Sequence, residues 1–348
     1  MAKYKLLFLY ISCICCVPWG NIHAAQRHIV RRAAFDIGSS QIRVQVADVD
    51  TVTNRVACTL FSQVVNVELR EDIAKSLNGK LSNTIQNKTV QVITELMKEV
   101  FTFQPCECTA TATETLRIAK NSNELLEHIR RETGLSVEII SQEEEGVLGF
   151  ITAVHEAKAD PDTAVCLDIG GGSFQVTTTS PHGYCTISKK FGEVVVKNML
   201  LRVQGKERHT FSPNPVSKQE AFQVIDQIKK SIQLIPSSFE EKLSRQDTTT
   251  LIIGVHPLWK LEPQSATFDI HRISRELESR LNLDDKAIQT TDVLANACLE
   301  KWPAFAWVVT DLILAYSVMK RFGMHHAQFV ETAGNTTGLL LSPKYWVQ

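Results

Sequence analysis

Neither sign of charge is in excess in this sequence: 37 Lys and Arg stand against 38 Asp and Glu, a net charge of −1. No overall basic field therefore draws the chain to nucleic acid or to an anionic membrane. Any polyanion site has to be locally positive, built from a few Arg or Lys and from backbone N–H groups. Beyond Cys13-Ile14-Cys15-Cys16 no CxxC pair occurs, and Cys106-Glu107-Cys108 is too tight for a usual zinc clasp. The interior carries no low-complexity stretch. The apolar run from Leu6 to Val17 is too short to span a membrane comfortably.

What is present fits a soluble globular protein. Apolar residues make up 44% and charged residues 22%, and 348 residues exceed what one core usually holds, so two domains are expected. The segment before Gln26 stands apart. Lys3 and Lys5 precede the apolar run, Pro18 and Gly20 break it, and Ala24 and Ala25 follow, the three-part layout of a secretory signal peptide. Export, with the periplasm as destination, is the expectation for residues 1–25; a cytoplasmic protein with an uncleaved N-terminus is the alternative. No stable membrane span remains after leader removal. An oxidising compartment would permit disulfides among Cys58, Cys106, Cys108, Cys166, Cys185 and Cys298. Cys166 lies inside an apolar strand and reads as a small core residue.

The pattern along the chain is duplicated. Residues 33–36, 42–47 and 56–65 read as a three-strand meander, followed by a helix over 85–101, a strand over 107–112, a helix capped at Asn121 and ended by Gly134, and a strand over 136–140. A helix over 144–156 links the halves. Strands at 164–169, 174–179 and 184–189, a helix at 216–234, a strand at 250–254 and an amphipathic helix at 311–322 repeat the plan. Arg202 to Pro215 reads as a polar surface loop. The expected domains are 30–143 and 144–348.

Each half opens with a strand running into glycine: Asp36-Ile37-Gly38-Ser39-Ser40 and Asp168-Ile169-Gly170-Gly171-Gly172-Ser173. Glycine at such a turn lets successive N–H groups face one concavity and lets backbone approach a phosphate closely. Gly38, Ser39, Ser40, Gly170, Gly171, Gly172 and Ser173 are therefore candidate phosphate contacts. Asp36 and Asp168, at the strand ends, are candidate ligands of Mg²⁺ or another divalent cation, which typically takes one or two carboxylates plus phosphate oxygens and water. A purely structural hairpin is the alternative for either turn alone. Two such turns, one domain length apart, favour a phosphoanhydride held between related α/β domains.

At these residues the chain resembles the Ppx/GppA family of exopolyphosphatases and guanosine pentaphosphate phosphohydrolases. Asp36-Ile37-Gly38-Ser39, Thr115-Leu116-Arg117-Ile118-Ala119 followed by Asn121, Val137 to Gly146, and Asp168 to Ser173 carry the resemblance in order and spacing. It implies an α/β fold of two duplicated actin/hexokinase-like (ribonuclease H-like) domains with an interdomain cleft. It implies hydrolysis of a terminal phosphoanhydride in polyphosphate or (p)ppGpp, and the short form of the family, without the C-terminal HD-type domain. Glu145 matches the catalytic glutamate, which activates water for in-line attack; burial in the cleft and Glu143 and Glu144 beside it, themselves expected at the surface, are expected to raise its pKa. A solvated helix start made of the three glutamates is the alternative. Arg117 matches an arginine that contacts the phosphate chain; capping a helix or pairing with Glu114 is its alternative. The oligomeric state, a homodimer included, stays open.

Three positions depart from the family pattern. Gln175 stands where a metal-holding glutamate is usual, Ser40-Gln41 replaces Asn-Ser, and Gly254-Val255-His256-Pro257-Leu258 replaces a Gly-Xaa-Ser-Gly-Thr loop. A hydrolase and a binding protein with impaired catalysis on the same fold both remain open. A kinase of the wider superfamily ranks below them, because nothing reads as an adenine pocket.

Overall fold

The computed structural model describes residues 28–208, 210–254, 267–291 and 306–346. The leader, Cys298 and the His256-Pro257 loop lie outside these residues.

The first sheet is built from β1 (Ile29–Ile37), β2 (Gln41–Asp50), β3 (Arg55–Asn66), β4 (Glu107–Ala112) and β5 (Val137–Ile139), in the order β3-β2-β1-β4-β5. Strand β1 starts at Ile29, ahead of the apolar stretch that marks it in the sequence. Its polar start is stabilised across the ladder: Arg31 faces Asp48 in register and donates to its carboxylate at 2.8 Å. Further along, Ala33, Ala34, Phe35 and Ile37 are buried, as in a central strand covered on both faces. Helices α1 (Leu69–Lys75), α2 (Asn83–Thr102), α3 (Glu114–Ile118) and α4 (Ser122–Thr133) complete this half. Ser82 caps α2 by accepting from the Ile85 amide, and Ile85, Ile93, Leu96 and Val100 turn one stripe of it onto the sheet. Asn121 precedes α4 but does not cap it. Its side-chain amide instead makes two hydrogen bonds to the Leu81 backbone, at 2.8 and 3.0 Å.

Helix α5 (Gln142–Ala157), capped by Ser141, leads into the second sheet. That sheet comprises β6 (Ala164–Ile169), β7 (Phe174–Ser180), β8 (Gly183–Lys189), β9 (Thr249–Ile253), β10 (Thr267–Asp269) and β11 (His326–Phe329), in the order β8-β7-β6-β9-β11-β10. Two antiparallel hairpin pairings followed by two parallel ones recur in both halves, so β6, β7, β8, β9 and β11 repeat β1 to β5. Asp36 and Asp168 occupy the same place in the two repeats. Their cross-strand neighbours are Arg43 and Gln175.

The remaining helices are α6 (Glu193–Val203), α7 (Lys218–Ser231), α8 (Ser237–Leu243), α9 (Ile270–Arg280), α10 (Asp285–Thr291), α11 (Val308–Phe322) and α12 (Thr336–Leu341). A complete capping box between Ser217 and Glu220 starts α7. The expected loop from Arg202 is in part helix, since α6 ends at Val203, and Ser212 within the rest is buried and donates to Asp285.

The C-terminal end departs from the division at residue 143. Helix α12 crosses back to the first sheet, where Leu339, Leu340 and Leu341 pack with Ala34, Ala47, Val49 and Trp346. Arg32 donates to the Leu340 carbonyl at 3.0 Å and lies over the Trp346 ring. Burial of three leucines is worth roughly 1.5–3 kcal/mol each, which holds this return in place. The two halves are also joined by Lys197 of α6, almost fully buried, which donates to Glu71 of α1 at 2.5 Å beside the Trp307 ring. No helix among the described residues is long and apolar enough to cross a membrane. The described cysteines, Cys58, Cys106, Cys108, Cys166 and Cys185, are free thiols, with Cys166 buried.

Candidate active site

A cavity of about 730 Å³ lies between the two glycine turns, lined by Asp36, Gly38, Ser39, Ser40, Glu145, Asp168 and Gly170 to Ser173. Every site residue expected from the sequence is on its wall except Arg117. The turns stand directly against one another: a methyl on Gly171 would come within 2.6 Å of the Ser40 hydroxyl, and one on Gly172 would overlap the Glu114 carboxylate. Gly38 and Gly170 use their N–H groups to close their own hairpins, onto Gln41 and Ser173 at 2.9 Å each. The amides of Ser39, Ser40, Gly171 and Gly172 take no part in those closures. Thr115 donates to the Ser39 hydroxyl and Gln175 to that of Ser173, which fixes both side chains.

Glu145 enters from the first turn of α5 and is buried. Arg117 stands behind it, not on the cleft wall. Its guanidinium donates to the Glu145 carboxylate at 2.6 Å and to the Ile140 carbonyl at 2.8 Å. Neither a helix cap nor a pair with Glu114 forms; Glu114 is held by Arg70 at 3.2 Å. Burial lifts the Glu145 pKa to about 7 against the pull of Arg117, with further upward pushes from Asp36 and Glu114. Glu143 and Glu144 do not contribute, contrary to the expectation from their adjacency. Glu143 is exposed, and Glu144 is bonded by Lys344 and Tyr345. Consecutive helical residues point about 100° apart, so neighbours in sequence face different surroundings.

Burial, then Glu145 and Asp36, push Asp168 up to about 8. Asp36 is raised as well, by burial, with Arg43 and the Asn335 amide opposing. Arg43 approaches Asp36 at 3.6 Å and donates to Gln41. Gln175, buried across from Asp168, presents a neutral amide where the first repeat has this arginine.

Residues outside the glycine motifs complete the wall. Arg43, Glu193, Asp311, Glu331, Gly334 and Asn335 all face the cavity. Glu193 and Asp311, from α6 and α11, share a hydrogen bond between carboxyl groups. Burial raises Glu193 to about 7, while burial and Glu193 raise Asp311 well above the carboxylate range, so the two hold protons as a pair. The loop before α12 closes over the first turn. Gly334, at φ 65°, sits where any side chain would strike Asp36 and Arg43. Apart from Arg43, these residues come from distant parts of the chain, and no local pattern marks them. Arg43 alone had a signal, as the charged residue just along a hairpin from a phosphate turn.

Among the described residues, no group of three or more His, Cys, Asp or Glu is gathered closely enough to hold a metal by itself. A divalent cation that shares its shell with phosphate and water needs fewer. The residues present fit one: Asp36 Oδ1 is buried with no hydrogen-bond partner, and Asp168 faces the same cavity. Among the described residues, six acids line the cavity (Asp36, Glu145, Asp168, Glu193, Asp311 and Glu331), with Arg43 as the basic side chain.

Two duplicated α/β domains, each ending its first strand in a glycine turn that faces a shared cleft, define an actin/hexokinase-like fold. Solved structures of similar shape share it. A Ppx/GppA family member from Aquifex aeolicus superposes with a TM-score of 0.69 at 21% identity, covering 90% of this chain and 97% of that one. An exopolyphosphatase from Cytophaga hutchinsonii gives 0.68 at 15% identity over 89% and 96%. In sequence, Exopolyphosphatase 1 of Mycobacterium tuberculosis is 28% identical over 149 residues, 43% of this chain. That match spans 42% of the relative's length. The profile of the Ppx/GppA phosphatase family matches residues 46–252. The chain belongs to the Ppx/GppA phosphatase family.

Proposed function

We propose that this protein hydrolyses the terminal phosphoanhydride of polyphosphate, with Glu145 as general base. The observation that carries the reading is the state of Glu145: a buried carboxylate facing the cleft between two phosphate turns, poised at about pH 7. A base of that strength takes a proton from water at neutral pH and is still half ionised. Arg117 fixes its direction. In the reaction, water's oxygen bonds to the terminal phosphorus in line with the bridging oxygen, which leaves with the shortened chain; Glu145 accepts the water's proton. The Ser39, Ser40, Gly171 and Gly172 backbone and Arg43 would orient the phosphates. Asp36 and Asp168 would hold a divalent cation, which when bound offsets phosphate charge. Export through the leader favours polyphosphate over the cytosolic alarmone (p)ppGpp as substrate.

Glu145→Gln should lower phosphate release from long-chain polyphosphate in Mg²⁺ at least about 100-fold, the usual scale of general-base catalysis. Release at the unaltered rate removes Glu145 from the chemistry. A second reading, a polyphosphate or nucleotide binder with impaired catalysis, is favoured by neutral Gln175 beside Asp168. Binding seen by calorimetry without turnover in any divalent cation would select it.

A further inference from the structure

Asparagine at the start of a helix ordinarily turns its side-chain oxygen back onto the helix amides. Asn335 occupies that position for α12 and makes no such bond. Its Oδ1 is buried without any partner, although the residue is only 5% exposed. The residue lines the cleft. Its backbone N–H donates to Asp36 Oδ2 at 3.1 Å, which ties it to the first turn. It also reaches the second: a single point, where a methyl on Gly149 would sit, is 2.8 Å from Asp168 Oδ2 and 3.2 Å from Asn335 Oδ1. Both oxygens thus lie against the same point of α5, no further apart than about 6 Å.

The loop that presents Asn335 is held from both sides. Thr336 and Thr337 donate to Gln45 of β2 at 3.0 Å, and the Gly338 amide donates to Thr152 of α5 at 2.8 Å. A buried amide oxygen without a partner is costly, and a fixed loop cannot relieve it by moving away. A hard cation relieves it directly, because such ions accept side-chain carbonyls beside carboxylates and water.

We propose that the side-chain carbonyl of Asn335 is a third protein ligand of the divalent cation, beside Asp36 and Asp168, and makes up for the carboxylate that is lacking at position 175. Gln175 brings no charge there, and its amide N–H donates to Ser173. The inference rests on the cation-assisted reading above, and the test separates the two.

Mn²⁺ binding to the full chain, read from loss of the free-ion EPR signal and competed with Mg²⁺, is compared across four proteins. Wild type should bind one ion in the cleft. Asn335→Ser keeps a helix-starting residue but draws the oxygen back, and should weaken binding by on the order of tenfold, the scale of a lost metal-site contact. Asn335→Asp should bind at least as tightly as wild type. Gln175→Glu combined with Asn335→Ser should recover affinity. Equal affinity in wild type, Asn335→Ser and Asn335→Asp overturns the assignment of Asn335 and leaves the cation at Asp36 and Asp168. No Mn²⁺ bound by wild type overturns the cation reading itself.

Discussion

Replacement of Arg117 separates two jobs that one arginine could do in this cleft. The structure puts its guanidinium 2.6 Å from the Glu145 carboxylate, with the two side chains 18% and 11% exposed. Two unit charges about 4 Å apart at an effective dielectric near 20 attract by roughly 4 kcal/mol, a ceiling of about three pKa units. Residual solvent screening brings the expected effect to about one or two units. Arg117→Met should therefore lift Glu145 from about 7 toward roughly 8–9, since burial, Asp36 and Glu114 all push the same way once the arginine is gone. At pH 7 the ionised fraction then falls from half to between roughly a tenth and a hundredth, and the rate falls about 5- to 50-fold with it. The loss is recovered near pH 9. Arg117→Lys keeps the charge and should leave the limb close to neutral pH. The assay is the pH profile of kcat/KM for phosphate release. An acidic limb that does not move in Arg117→Met, with a raised KM at every pH, would refute this reasoning and return Arg117 to the phosphate chain.

Two further outcomes follow from the same geometry. Glu145, Asp168 and Glu193 have folded-state pKa values of about 7, 8 and 7 against ordinary values of 4.5, 3.8 and 4.5, so the folded protein holds extra protons between these limits. That stabilisation is complete near pH 4 and is lost as pH rises toward 8; Tm without divalent cations should fall by several degrees, at roughly 2–4 °C per kcal/mol, between pH 5 and 8. A flat Tm would contradict the buried-acid account, and added Mg²⁺ at pH 8 should restore part of the loss. Gly338→Ala would drive a methyl into the Leu148 backbone where α12 meets α5. A loss of about 1–3 kcal/mol in denaturant unfolding is expected; a change under about 0.5 kcal/mol would show that the contact yields.

Much of the scaffold is legible in the chain itself. Strand β6 falls on Ala164–Ile169 as its apolar run, broken by Asp168 alone, dictates, and the hairpin β7–β8 follows from alternation around Pro181-His182-Gly183. Local chemistry sets those elements, so local pattern reveals them. Helix α12 was invisible for the opposite reason. Thr336–Leu341 is buried on every side, carries no polar stripe, and is held by a sheet that begins at the other end of the chain. The cleft divides in the same way. Glycine turns, Glu145 and both aspartates stand in readable motifs, whereas Glu193, Asp311 and Asn335 acquire meaning only from the packing that brings them together. The surroundings of Glu145 show the limit most directly. Glu143 and Glu144 are its neighbours along the chain, yet Asp36 and Glu114, from other elements altogether, are the acids that act on it.

The duplicated halves carry unlike partners at one matching place, arginine at 43 and glutamine at 175. A molecule laid across a truly symmetric cleft could lie either way round with equal energy. Here the first repeat sets a fixed positive charge across from its aspartate, while the second sets a neutral amide there. A chain with one free end meets two inequivalent docking points, so the cleft has a head and a tail. Duplication supplied the enclosure, and divergence at this cross-strand position contributes to its polarity.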